Sequence, residues 1–279
     1  MERKLTITNE KGKTLDLMNE RNLLAEVSNL GFEFANEYQT IGSNFLLTNS
    51  KINQNKISGT MYFKGKDPYQ DYYDLVKDFT NQNLILTYNT VKTFKLSCRM
   101  TATTKKENTN DYRKADVTFI PNGIWFTEVG QSVTPNISGE TDDDKKYPYT
   151  YPYTYGTNQE VEIESDTRIP SPAKITIYGP ANNPRWSQFV NGKRTASGRM
   201  YNLTITESQR IVIDATNPEN SIELQSLNGE KIEDVYRFSD FSTERFIYMR
   251  EGINRIVIND AAGHDLTYTV EAKIKYESV

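Results

Sequence analysis

One cysteine and one histidine occur in 279 residues. A lone cysteine, Cys98, excludes a disulfide within the chain and any zinc site built on cysteine pairs. A lone histidine, His264, excludes a multi-histidine metal centre. It sits in the turn 261–265 with no nucleophile motif near it, so neither a Ser/His/Asp nor a Cys/His arrangement has support. No apolar run reaches 18 residues, and no membrane-spanning helix is expected. The N-terminal MERKLTITNEKGK carries no apolar h-region, so no secretory signal is expected. Synthesis and folding in a reducing cytoplasm, or exit by another route, fits these absences.

Charge of one sign is also missing. Lys and Arg number 33 against 37 Asp and Glu, a net charge of −4. The first 130 residues lean slightly basic and the rest acidic, but neither part carries the dense basic face of a nucleic-acid binder. Neither GxxxxGK[ST] nor GxGxxG opening a helix is present, so nucleotide binding has no motif and no cofactor is expected. A glycosidase pair cannot be picked out, because 37 carboxylates always supply one on paper. An all-carboxylate calcium site stays open. The acidic run Asp142-Asp143-Asp144 departs from EF-hand spacing and, beside Lys145-Lys146, reads as solvated linker. No catalytic or metal-ligating residue is assigned, and the chain is not expected to be an enzyme.

Tyrosine is what the chain has in quantity, 18 of them beside 12 phenylalanines. They partly offset a hydrophobic content of only 36%, because each ring buries a large area. The densest stretch is YPYTYPYTYG, residues 147–156. Prolines at 148 and 152 exclude a helix and a central strand. In an extended segment, Tyr147, Tyr149, Tyr151, Tyr153 and Tyr155 fall on one side. The segment reads as a hinge with one aromatic face. That face either packs on the chain's own domains or forms a contact strip for a neighbouring subunit or a sugar. Trp125 and Trp186 are read as core residues, with stacking on a sugar ring as the alternative use. Trp186 joins the five tyrosines as a candidate interaction residue.

The remaining pattern is mostly β. Residues 3–8 and 14–18 alternate around a turn at 9–12. In residues 19–40, Leu23, Leu24, Val27 and Leu30 fit either a short helix or a looping arm. Strands are expected at 41–48 and 57–64, joined by a polar loop at 49–56. A helix follows, with Asp67 as N-cap, Pro68 at its first position, and Tyr69, Tyr72, Tyr73, Val76 and Phe79 as its apolar stripe. Strands at 84–88, 93–104, 116–119 and 124–127 complete an antiparallel β domain with one helix across it. About eight short strands in the second half, separated by turn signals at Gly179-Pro180, Asn191-Gly192, Asn217-Pro218, Asn228-Gly229 and Gly263, suggest a jelly-roll sandwich. Lys193-Arg194 is read as a hairpin tip. The expected domains are 1–130, a linker 131–158, and a sandwich 159–279.

These residues resemble a known family. Leu30-Gly31, the strand 57–63 with Gly59, the helix with Tyr69, Tyr72 and Phe79, the strand 84–88, the run 94–107 and VTFIPNGIW (117–125) are similar, in that order, to the distal tail proteins of long-tailed bacteriophages. YPYTYP, PAKITIYG (172–179), IVIDAT (211–216) and EGIN (251–254) resemble the C-terminal domain of siphovirus tail components, a galectin-like sandwich. The resemblance implies a virion structural protein at the distal tail tip. It would form a hexameric ring between the tail tube protein and the tail-associated tip protein, and in some phages carry receptor-binding proteins. It implies a ring made by the N-terminal domain, often through an exchanged β arm; 19–40 and 49–56 are the candidate arms. The helix face opposite the tyrosine stripe is a further candidate. The competing readings are a carbohydrate-binding sandwich contacting the host wall and a cell-wall hydrolase, the last without a catalytic motif.

Overall fold

The computed structural model describes residues 4–106, 112–134, 160–217, 219–263 and 266–279. The chain divides into two compact units, Met1–Thr127 with Lys275–Val279, and Glu128–Ile274. It is mainly antiparallel β with one α-helix, as the alternating patterns indicate.

In chain order, the first unit contains β1 (Lys4–Asn9), β2 (Thr14–Asp16), β3 (Asn22–Ser28), β4 (Phe34–Ile41), β5 (Asn44–Ile52) and β6 (Ile57–Phe63). Helix α1 (Pro68–Phe79) follows, then β7 (Leu84–Asn89), β8 (Thr93–Lys106), β9 (Arg113–Pro121) and β10 (Trp125–Val133), which leads into the second unit. Asn9 makes the first turn: its Oδ1 accepts from the backbone N–H of Lys11 and Lys13 at 3.1 and 2.9 Å. Pairing then runs β2–β1–β7–β8–β9–β6–β3, antiparallel at every step. The chain after β2 returns to β3 through the bridge Met18–Leu23, and Leu24 N–H donates to Leu17 O at 2.6 Å. The circuit closes as a barrel, which leaves no long open edge.

Closure depends on β8 changing partners. Thr93–Cys98 pairs with β7, and Cys98–Lys106 pairs with β9, with a bulge between Met100 and Ala102. A bulge bends its strand and raises the local twist. Inward residues Ile7, Phe63, Leu86, Cys98, Met100 and Ala115 are fully buried. Burial pushes the Cys98 thiol up to about 12. Native protein at pH 8 is therefore expected to give no reaction with a disulfide reagent over hours, and one thiol on unfolding; rapid native labelling would contradict this burial.

Two expectations for this unit are corrected. Residues 22–28 form a barrel strand, not a helix or an arm, because Asn22, Leu24 and the residues around them pair with β6. Glu26 and Asn29 take φ of 55° and 63°, and that irregular backbone hides the alternation. In α1, Asp67 caps Tyr69 and Gln70 as expected. The buried face, however, is Asp71, Leu75 and Phe79, while Tyr69 and Tyr73 are more than half exposed. Asp71 lies inside because Arg21 accompanies it, Nε donating to both carboxylate oxygens at 3.0 and 2.9 Å. An acid with its own cation can take a position that sequence pattern reserves for apolar residues.

The second unit contains β11 (Glu160–Ser165), β12 (Ser171–Tyr178), β13 (Ala181–Asn182), β14 (Arg185–Val190), β15 (Lys193–Arg199), β16 (Thr204–Ile205), β17 (Gln209–Asp214), β18 (Ser221–Ser226) and β19 (Lys231–Asp234). After a short 3-10 turn come β20 (Tyr248–Met249), β21 (Gly252–Asn259) and β22 (Tyr268–Tyr276). Within this unit one sheet runs β19–β18–β17–β12–β22 and the other β11–β21–β14–β15. Their inner faces carry Ile175, Ile177, Ile211, Ile213, Ile222 and Val270 on one side, and Val161, Ile163, Trp186, Ile256 and Ile258 on the other, all buried. This is a β-sandwich.

The EGIN segment has a structural explanation. Asn254 is fully buried. Its Nδ2 donates to Arg250 O and Gly252 O at 2.7 and 3.0 Å, and its Oδ1 accepts from Gln188 Nε2 at 3.0 Å. Buried Gln188 also interrupts the alternation of β14: a polar residue stands where the pattern needs an apolar one. Residues 198–205 hold the end of β15 and the separate β16. Lys193 and Arg194 belong to β15, and the tip is Asn191-Gly192, with φ of 49° and 81°.

Candidate assembly surface

Val91, in the β7–β8 turn, is the most exposed large apolar residue of the first unit, and the next three, Phe45, Tyr38 and Ile41, sit on one hairpin. Strands β4 and β5 pair only with each other among the described residues, as a hairpin arm standing off the barrel. Thr40–Phe45 and Ile41–Asn44 pair at the turn, where Gly42 takes a φ of +63°. The register then slips between Glu37 and Tyr38, so that Glu37 faces Asn49, Tyr38 faces Leu47, and Thr48 is the extra residue.

That bulge decides what the arm presents. Cross-strand partners share a face, and residues two apart on a strand share it as well. Phe34 with Ile52, Tyr38 with Leu47, and Thr40 with Phe45 thus lie on one side. The other side carries Lys51, Glu37, Asn49, Gln39 and Asn44, with Leu46 and Ile41. Were Thr48 paired opposite Tyr38 instead of bulged out, Leu47 and Phe45 would fall on the polar side. Phe45 is 74% exposed, Tyr38 58% and Leu47 50%. Of the stretches expected as arms, 19–40 and 49–56, residues 22–28 are the barrel strand β3, residues 34–40 and 49–52 belong to the hairpin β4–β5, and residues 53–56 return the chain to β6.

A second group lies beside α1. The exposed ring of Tyr69 is approached by Lys105 Nζ at 4.8 Å and the Arg113 guanidinium at 5.2 Å, and Lys114 lies 5.0 Å from the Tyr62 ring. Such contacts hold aromatic faces in place. Nearby, Lys106 and then Thr60 hydrogen-bond Asp116 and hold its carboxyl below the usual range.

The sequence-derived interaction residues fare differently. Tyr147, Tyr149, Tyr151, Tyr153 and Tyr155 lie outside the described residues, as does His264. Trp186 is 1% exposed, and its Nε1–H donates to Arg245 O at 2.7 Å. It has no free face for a sugar; it fills the sandwich core. Trp125 is likewise buried. On the outer face of the four-stranded sheet, Glu160, Arg185, Ser187, Phe189, Arg255 and Asn259 line a shallow groove. There the Arg255 guanidinium lies 5.0 Å from the Phe189 ring and pairs with Glu160 at 3.3 Å, so that ring is already covered. Elsewhere on this unit Arg245 lies within 4.8 Å of Tyr236 and 4.4 Å of Phe241. Asp240 in the same loop is held down to about 2, by Ser242 first, then Tyr201 and Arg199. Among the described residues, no group of three or more His, Cys, Asp or Glu could hold a metal ion.

Comparison with known proteins places these observations. A chain in the phage P2 baseplate, in its activated conformation with Ca, superposes with a TM-score of 0.62 at 17% identity, covering all of both chains. The same baseplate with Sr gives 0.62 at 18% identity, again over all of both chains. The SPP1 Dit (gp 19.1) protein gives 0.60 at 11% identity over 98% of this chain and 99% of that one. At these identities the likeness is one of fold. No curated protein matches. Residues 4–122, from the first barrel strand to the turn after β9, match the distal tail protein N-terminal domain. By that match, residues 4–122 form a distal tail protein N-terminal domain, and the chain as a whole shares the fold of these baseplate and Dit structures.

Proposed function

We propose that this protein is a structural hub of a bacteriophage tail tip, a homo-oligomer closed into a hexameric ring between the tail tube and the tail-associated tip protein. The observation that carries the reading is the β4–β5 arm, whose apolar face is left uncovered by the described residues. An arm on one subunit and a receiving surface on the next make a head-to-tail contact, and such contacts close into rings when the rotation per step is right. A hub acts through geometry rather than turnover, which suits a chain with no catalytic arrangement. The sandwich unit, with its exposed aromatic and arginine side chains around Tyr236 and Phe241, is the proposed platform for receptor-binding proteins. Its site of action is the virion tail, after synthesis in the host cytoplasm.

Negative-stain electron microscopy, with mass by light scattering on the same full-length sample, tests this. Six-fold rings are expected, formed alone or on addition of purified tail tube protein. A monomer under both conditions would overturn the reading. The sugar-binding alternative requires a measurable affinity on a glycan panel. Trp186 cannot supply it, and the candidate surfaces are the tyrosines of 147–155 and the groove at Arg255 and Asn259.

A further inference from the structure

We propose that the turn between β9 and β10, PNGIW, is a socket that sets the direction of the arm, and that Gln54 and Asn29 are positioning residues for assembly. This rests on the ring reading and adds to it what fixes the arm's angle. The arm joins the barrel by two irregular segments, residues 29–33 and 53–56. Each is tied to the same turn. On the outgoing side, the Trp125 indole N–H donates to Leu30 O at 3.1 Å. On the returning side, Gln54 Nε2 donates to Pro121 O at 2.6 Å. A third tie joins the two segments, Asn29 Nδ2 to Lys56 O at 2.9 Å, and Asn53 N–H to Glu33 O at 2.7 Å closes the base of the hairpin. The socket is itself rigid: Trp125 is 3% exposed and Asn122 N–H donates to Ser97 O at 2.8 Å.

Direction matters because the arm is long. β5 has 9 residues, about 30 Å at roughly 3.3 Å per residue. A tilt of about 10° at the root moves the tip by about 5 Å over that span, more than the width of one strand-to-strand step. A closed ring repeats one rotation at every interface, so an error at the root is repeated at each. Fixing the root before contact also removes ordering entropy from the assembly step.

Gln54 and Asn29 are both exposed, and neither contributes to the core. Asn29 has a φ of 63°, so Asn29→Gly removes the amide without strain. The test is the double variant Asn29→Gly with Gln54→Ala in the full chain. Spin labels on Ser43→Cys at the arm tip and Lys11→Cys on the barrel report the direction of the arm in the monomer. A narrow distance distribution is expected in the parent and a broad one in the double variant, with the thermal midpoint of the first unit unchanged. The protein concentration for half-assembly is expected to rise about tenfold, the equivalent of roughly 1.4 kcal/mol. Equal distance widths in parent and variant would overturn the socket. Equal assembly, despite a broadened distribution, would overturn its role in assembly. A parent that never assembles but keeps a narrow distribution removes the ring reading and leaves the socket standing.

Discussion

Replacing Phe45 and Leu47 together by serine is expected to abolish self-association at any concentration where the parent assembles. The two side chains lie on the apolar face of the arm, 74% and 50% exposed in the isolated chain. Each would be worth about 1.5–3 kcal/mol if fully buried against a neighbour. Losing both costs about 3–6 kcal/mol per interface, a weakening on the order of a hundredfold to ten-thousandfold. The barrel should not notice, because its core lies on other strands. Light scattering across a concentration series measures the first effect, and calorimetry checks the second. A paired control, Gln39→Ala with Asn49→Ala on the polar face, should change assembly little. If the serine variant assembles like the parent, the arm is not the interface. A further variant deleting Thr48 tests the bulge: it leaves Leu47 opposite Tyr38 and Phe45 opposite Thr40, so the apolar face is kept and assembly should change little.

The second large effect is expected in the other unit. Gly198 is buried in β15, opposite Trp186 in β14. A Cβ there would meet Cζ2 and Cε2 of the indole well inside van der Waals contact, and Nε1 at 2.8 Å. Those atoms belong to a ring held by its own hydrogen bond to Arg245 O. Gly198→Ala forces the indole aside, losing that bond and the close packing, at a cost of about 3–5 kcal/mol. For a unit of this size the melting transition should fall by about 10 °C. The transition of the first unit should stay in place, since Gly198 and Trp186 belong wholly to the second. Adding Trp186→Phe should restore part of the loss, because the smaller ring leaves space for the methyl group. A Gly198→Ala protein that melts like the parent would show that the indole has room to move, and would reopen its use as a binding surface.

Both effects concern features that local pattern reads poorly. Alternation located β1, β7 and β9 because each buries every second residue, so the period of two survives in the residues. The cap Asp67-Pro68 marked the start of α1 for an equally local reason, the unpaired N–H groups of a first helical turn. The family resemblance followed the same segments. Where a side chain's partner is distant in sequence, the pattern failed. Asp71 is buried because Arg21 comes from the β2–β3 connection 50 residues away. Gln188 and Asn254 are buried because each satisfies the other across 66 residues. Period alone cannot anticipate a polar group whose cost is met elsewhere.

The sequence by itself determined that this is a β-rich chain with one helix, with a single cysteine and a single histidine, built of turns and alternating strands. Those properties follow from composition and from neighbours within a few residues. Only the tertiary structure decided which aromatic residues are available to a partner. Trp186 disappears behind Gly198, and Tyr69 and Tyr73 of α1 turn outward while Tyr72 packs on the core. A single extra residue, Thr48, gathers Phe34, Tyr38, Phe45 and Leu47 on one side of an arm. The physical reason is register: shifting a strand by one position exchanges its faces, and the register is set by pairing, not by the strand's own residues.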